Sequence, residues 1–305
     1  MSEQSTASSL LALSQKLQHL AEAAAHAVVG IRSHGRLVAS GLVWKPGVVV
    51  TASDALEADD DLSVIAAAGK AFSAQVAGRD PTTDVAVLRL SDNLPELAQL
   101  TMSDAVRIGQ MVLALGRGQD GVIANLGMVS VAGGPWQSMR GGNIDSLIRL
   151  DMRLSHRSEG GLVVDSEGRL LGMPVFGPRQ TTLVIPMSTI ERVGAQLLAD
   201  GRIRRGYLGI GLHGIRLDEA LAASLSLPDR RAIMVVSVDP NGPARTAGVH
   251  VGDVIVGFDG EPVSSVRNLF ARLTPESVGK SAELRMLRAG QIATARIAIG
   301  ASPAP

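Results

Sequence analysis

The sequence predicts a mainly β chain: two closed barrels, a smaller α+β unit behind them, and a helix in front. Three observations carry this. About a dozen short β-branched runs, separated by glycine and turn residues, lie between Val28 and Pro186, and that number suits two six-stranded barrels better than one sandwich. Further strand-like runs surround two helical stretches between residues 206 and 300. Leu10, Leu13, Leu17, Leu20 and Ala24 recur at helical spacing near the start.

Residues 1–27 form the N-terminal helical segment, with the helix itself over 9–27 and Ser8 or Ser9 as its cap. Its apolar stripe suits packing on its own domain; contact with another copy or a partner is the alternative. Residues 28–186 hold the barrel strands: Val28–Ile31, Leu37–Val38, Gly41–Val43, Val48–Val50, Leu62–Ile65 and Val85–Leu88, then Met111–Leu115, Gly127–Ser130, Ser146–Arg149, Leu162–Val164, Leu170–Met173 and Leu183–Ile185. Residues 187–205 are a helix and linker, because Met187, Ile190, Val193 and Leu197 return to helical period and Gly201 suits a C-cap. In 206–300, strands are expected at Leu208–Ile210, Ile233–Val238, Val254–Phe258, Ala282–Leu287 and Ala293–Ile299, with helices over 217–225 and 264–274. The tail 301–305 is expected to be disordered.

Composition narrows the function. Formal net charge is zero, which argues against a general nucleic-acid or membrane-surface binder. Cysteine is absent, which excludes disulfides and thiolate metal sites, and no cofactor or metal is predicted. No apolar run reaches the 18 or so residues of a membrane span. The N-terminus lacks the basic start and apolar run of a secretory signal. As printed, the chain is expected to be cytoplasmic, or periplasmic if a signal preceded residue 1.

Specific motifs go further. Gly78-Arg-Asp-Pro-Thr-Thr-Asp84-Val-Ala-Val-Leu88 is similar to the stretch that carries the catalytic aspartate in HtrA/DegP-type proteases. Leu113-Ala-Leu-Gly116, Gly127-Met-Val-Ser130 and Ile185-Pro-Met-Ser-Thr-Ile190 resemble the second barrel and exit helix of that family. Arg205-Gly-Tyr-Leu-Gly-Ile210, Asp239-Pro-Asn-Gly-Pro-Ala-Arg-Thr-Ala-Gly248 and Val251–Gly260 resemble a PDZ domain. The resemblance implies a trypsin-like double β-barrel over 28–186 and one PDZ domain over 206–300.

The matches stop at two positions. The family's catalytic histidine falls on Asp54 and its serine on Glu159, while the glycine two before that serine is Arg157. The resemblance therefore implies a degenerate triad of Asp54, Asp84 and Glu159 and an altered oxyanion position at Arg157. The mechanism needs a hydroxyl and an imidazole, so the sequence predicts no enzyme activity. A displaced pair of Ser158 and His156 is the nearest substitute. Three carboxylates are also a candidate hard-cation site, unless Arg157 or another cation neutralises them.

The PDZ motifs, by contrast, are kept. The resemblance implies that Tyr207, Leu208, Gly209 and Ile210 receive a peptide carboxylate on backbone N–H groups, with Val266, Leu269, Phe270 and Leu273 lining the pocket for its last side chain. Arg204, Arg205, Arg267 and Arg272 suit acidic ligands or a solvated surface. The expected function is an inactive, peptide-binding scaffold or adaptor that recognises protein C-termini or extended peptides. The resemblance adds a homo-oligomer, as a trimer. The alternatives are a cryptic or metal-binding enzyme built on the carboxylates and a structural subunit of a larger complex docked through the N-terminal helix.

Overall fold

The computed structural model describes residues 3–67, 69–92, 100–103, 105–225, 227 and 230–302. It divides into two compact units, Met1–Ile203 and Arg204–Pro305. Met1, Ser2 and the tail residues 303–305 lie outside the described residues.

The first unit opens with helix α1 (Glu3–Ala24). Ser8 and Ser9 therefore lie within the helix rather than at its start, correcting the expected beginning. The expected stripe is divided by burial. Leu20 and Ala24 are in the core with Leu17 against it, while Leu10, Leu11 and Leu13 are 64%, 60% and 40% exposed.

Strands β1 (Val28–Ser33), β2 (Arg36–Lys45), β3 (Val48–Ala52), β4 (Leu62–Ile65), β5 (Ala71–Asp80) and β6 (Val85–Leu90) close a barrel in the order β1-β2-β3-β6-β5-β4. A second barrel uses β7 (Met111–Arg117), β8 (Val122–Gly133), β11 (Leu147–Asp151), β12 (Leu162–Asp165), β13 (Leu170–Phe176) and β14 (Thr182–Pro186), ordered β11-β14-β13-β12-β7-β8. Between β8 and β11 the chain forms a small hairpin, β9 (Trp136–Gln137) with β10 (Asn143–Ile144).

Three cores explain why the strand signal was continuous rather than alternating. Val49, Ala86 and Leu88 fill the first barrel, and Val112, Ala114 and Val163 fill the second. Their neighbours Val48, Val50, Val85, Val87, Leu113, Leu115, Leu162 and Val164 point the other way, into a third core shared by both barrels, α1 and helix α2 (Met187–Asp200). A strand buried on both faces must be apolar at every position. β8 has only one such face, and its exposure alternates. Gly201 ends α2 with φ of 72°, as its sequence position predicts.

The second unit is a five-strand path, β16 (Ile210–Arg216), β17 (Arg231–Val238), β18 (Val254–Phe258), β20 (Ser281–Arg288) and β21 (Gln291–Ala298), with β19 (Glu261–Pro262) paired to β18. A separate pair joins β15 (Gly206–Tyr207) to β22 (Gly300–Ala301), so Ala301 is paired where a disordered tail was expected. Helices α3 (Glu219–Ser224), α4 (Pro243–Thr246) and α5 (Val266–Phe270) complete it. Of the strand expected at Leu208–Ile210 only Ile210 is in a strand, as the first residue of β16; Leu208 and Gly209 lie between β15 and β16, where Gly209 takes φ of 74°. Helix α5 is shorter than the expected 264–274. Ser265 caps it, its Oγ accepting the Asn268 N–H at 3.1 Å.

Candidate functional site

Asp54 follows β3 and Asp84 precedes β6, two strands paired side by side, so the ladder brings together residues 30 apart. The backbone N–H of Asp54 donates to Asp84 Oδ1 at 2.8 Å. Asp84 takes φ of 59°, the left-handed region that aspartate tolerates better than most side chains. Glu159 lies at the end of the 3-10 turn His156–Ser158, and its Oε1 accepts the Phe176 N–H at 3.2 Å. The charges of Asp54 and Glu159 both act on Asp84, so the structure gathers all three carboxylates that the sequence singled out.

Their electrostatics follow from burial. Desolvation pushes the Asp84 carboxyl up to about 7; the Asp54 N–H and the Arg140 charge oppose this, and the two neighbouring carboxylates add to it. Burial also raises Glu159, against the Phe176 N–H and the His156 charge. The neutralising cation is not Arg157. Arg140, from the loop between β9 and β10, pairs with Asp54 Oδ1 at 2.6 Å and also reaches the Pro81 carbonyl at 3.1 Å. Sequence reasoning missed Arg140 because it is 86 positions from its partner and has no local signature. No group of three or more His, Cys, Asp or Glu among the described residues is arranged to hold a metal ion.

The turn that carries Glu159 is closed on itself. Ser155 Oγ accepts the Arg157 N–H at 3.3 Å, and the His156 carbonyl accepts the Glu159 N–H at 3.3 Å. These are the two N–H groups that an oxyanion hole at this position would use. Ser40 fixes the turn from below: its hydroxyl donates to the Arg157 carbonyl and accepts the Arg117 N–H, while its own N–H donates to the Glu159 carbonyl at 3.0 Å. Gly160, with φ of 78°, is required because a Cβ there would strike Thr51 Oγ1 and the Ser40 carbonyl. Ser158 and His156 do not pair. Ser158 is buried and accepts from Asn125 Nδ2 at 3.1 Å, while His156 lies against Phe176 with ring centroids 4.7 Å apart.

In the second unit, Tyr207-Leu-Gly-Ile210 is a tight loop leading into β16, which is the edge of its sheet. The carbonyls of Leu208 and Gly209 accept from Ala244 N and Asp239 N, each at 2.8 Å. Tyr207 Oη donates to Asp239 Oδ2 at 2.8 Å, and Asp239 also accepts the Asn241 N–H, the first of the bonds that hold its carboxyl below the ordinary range. Asp253, 2% exposed, anchors the next loop. Burial alone would raise it, but the two 2.7 Å bonds from Arg288 and the His250 N–H outweigh burial and hold it low. Of the four helix residues singled out, Leu269 and Leu273 are core, Val266 is half-buried against that core, and Phe270 is 52% exposed.

Comparison with known proteins matches this geometry. Residues 39–173 match the trypsin-like peptidase domain and residues 206–299 match the PDZ domain. A probable periplasmic serine endoprotease DegP-like of Brucella suis is 30% identical over 283 residues, covering 88% of this chain and 54% of that protein. Periplasmic serine endoprotease DegP of Salmonella typhimurium is 30% identical over 260 residues, covering 82% of this chain and 54% of that one. The chain thus spans about half the length of the curated relatives it matches. Among solved structures, the serine endoprotease from Yersinia pestis (26% identity, TM-score 0.71) and the HtrA-type protease AlgW with tripeptide (26%, TM-score 0.69) each cover 94% of this chain, and it covers 98% of each. These relatives correct one expectation. The sequence reading inferred a non-enzyme from Asp54, Arg157 and Glu159, whereas the relatives are named serine endoproteases, which points to a protease. Three residue types define which groups occupy the cleft; they do not establish that none of them reacts.

Proposed function

Because this chain belongs to the HtrA/DegP family, with a trypsin-like domain and one PDZ domain, we propose that it captures polypeptides through the PDZ unit, taking a free C-terminus with an apolar last residue. One observation carries the reading. The Leu208 and Gly209 carbonyls are tied inward, which turns the adjoining N–H groups of the loop outward at the head of an unpaired sheet edge, β16. A peptide carboxylate accepts such N–H groups, and its chain adds to the edge as a strand. Val266 and Phe270 are the helix residues left to meet its last side chain. The solved neighbour AlgW with tripeptide supports a peptide ligand for this class. The periplasm, which the relatives' names give, is the compartment of the proposal, and self-association places several PDZ units together.

The test is a C-terminal peptide library on the full chain. The best acid should bind with Kd of roughly micromolar to tens of micromolar, about 6–8 kcal/mol. Its C-terminal amide should lose most of that. Equal binding of acid and amide would overturn the reading.

A second reading is enzymatic and rests on Asp84. A carboxyl that titrates near 7 is suited to carry a proton at neutral pH. Hydrolysis of denatured casein whose rate follows a group near pH 7, and which Asp84→Asn abolishes, would support it. A rate unchanged in Asp84→Asn would remove it.

A further inference from the structure

A cavity of about 730 Å³ opens beside the turn that carries Glu159. It is lined by Ile123 of β8, the segment from Met152 to Arg157, and Phe176 with Gln180. Its size falls in the range of ligand sites rather than packing defects. Among the described residues its lining holds Arg153, His156 and Arg157 and no acidic side chain. Neither the Arg153 nor the Arg157 guanidinium has an acid or hydrogen-bond partner among the described residues; the one bond of Arg157 in this turn is made by its backbone N–H. His156 is held in place against Phe176.

Three other arginines of this unit, Arg140, Arg192 and Arg79, are paired with Asp54, Asp145 and Asp59; the guanidinium groups of Arg153 and Arg157 differ in sharing one cavity that has no acid in its lining. Two unmatched guanidinium groups on one concave wall leave their donors to water, and a guanidinium fork suits a carboxylate in two-point geometry. The apolar part of the wall, Ile123, Met152, Leu154 and Phe176, accepts the methylene stem that would carry such a carboxylate. We propose that this cavity binds an acidic side chain, Glu or Asp, of an extended polypeptide, with Arg153 and Arg157 as the groups that select it. The cavity is lined by residues of the first unit alone, and its reading does not rest on that of the PDZ unit.

The experiment uses the full chain and fluorescein-labelled hexapeptide pools, acetylated and amidated so that no terminal carboxylate reaches the PDZ loop. The fourth residue is fixed as Glu, Gln or Lys, and binding is read by anisotropy. The Glu pool should bind at least about threefold more tightly than the Gln pool, because a carboxylate accepts charge-assisted bonds from the two guanidinium groups and a neutral amide does not. Arg153→Gln with Arg157→Gln should erase that preference, and Arg153→Glu with Arg157→Glu should turn it toward Lys. Both side chains are exposed, so an unchanged melting temperature is expected and keeps loss of binding distinct from loss of fold. Equal binding of the Glu and Gln pools, no binding of any pool, or a preference that survives the double variant would overturn the proposal. So would competition by inorganic phosphate or N-acetylglutamate amide as effective as the peptide, which would assign the cavity to free anions.

Discussion

The backbone N–H of Asp54 donates to Asp84 Oδ1 at 2.8 Å while the Asp54 carboxylate turns away to Arg140. One residue thus gives its neighbour a stabilising donor and, with its own side chain, a destabilising charge. Burial decides the sum. Asp84 titrates near 7 although the N–H favours its ionised form.

This fixes a pH dependence. Asp84 is raised in the folded state from an ordinary 3.8 to about 7, so its contribution to stability is fully present below pH 4 and is lost as pH rises through 7. Glu159, also raised, acts in the same direction. Denaturation of the wild type should show this loss, on the order of 3 kcal/mol across that window. Asp84→Asn should flatten it. A pH-independent difference between the two proteins would contradict the argument.

Arg140→Ala removes the counter-charge from Asp54. Both side chains are about half exposed, so stability should fall by less than about 1 kcal/mol. The carboxyl carbon shift of Asp84 should nevertheless titrate at higher pH, because Arg140 lowers it in the wild type. An unmoved titration would show that Arg140 does not act on the pair.

Gly209→Ala tests the carboxylate loop. The residue holds φ of 74°, and a Cβ would come 2.9 Å from Gly242 Cα. The strain costs about 1–3 kcal/mol. Peptide affinity should fall by about tenfold or more. Tyr207→Phe, which deletes only the bond to Asp239, should weaken binding less and leave the melting temperature close to wild type.

Arg288→Met leaves the buried Asp253 carboxylate with the His250 N–H alone. Breaking a fully buried pair costs about 3–5 kcal/mol; Arg288 is partly exposed, so about 2 kcal/mol is expected. Asp253 is depressed in the folded state, so its stabilisation is present above about pH 4 and lost as pH falls below that. The variant's deficit should therefore shrink in acid. Thermal melts at pH 7 and pH 3 check both statements.

Self-association is best tested on the outer half of α1. Deleting residues 1–27 would also remove Leu20, Ala24 and Ala27 from the core and the Ala25 carbonyl from Arg117. Leu10→Glu with Leu13→Glu touches only exposed positions. Light scattering should show an oligomer that this pair of substitutions weakens. A monomer in both cases would count against the proposal.

The sequence by itself determined the two barrels, the exit helix with its Gly201 cap, the PDZ unit and the three positions Asp54, Asp84 and Glu159. The barrels and the helix rest on local periodicity and turn chemistry, which short-range sterics and side-chain burial impose along the chain; the PDZ unit and the three positions rest on motifs that resemble those of the HtrA/DegP family. What it could not fix were relationships across the fold. Arg140 meets Asp54 through a hairpin 86 positions away, and Ser40 braces the Arg157 turn from 117 positions away. Leu10 and Leu20 share one stripe, yet only Leu20 meets the barrel, since burial depends on where the partner surface ends. The state of Asp84 was likewise undecided, because a carboxyl's pKa is set by the water it loses and the charges it meets, and both are properties of the assembled cleft.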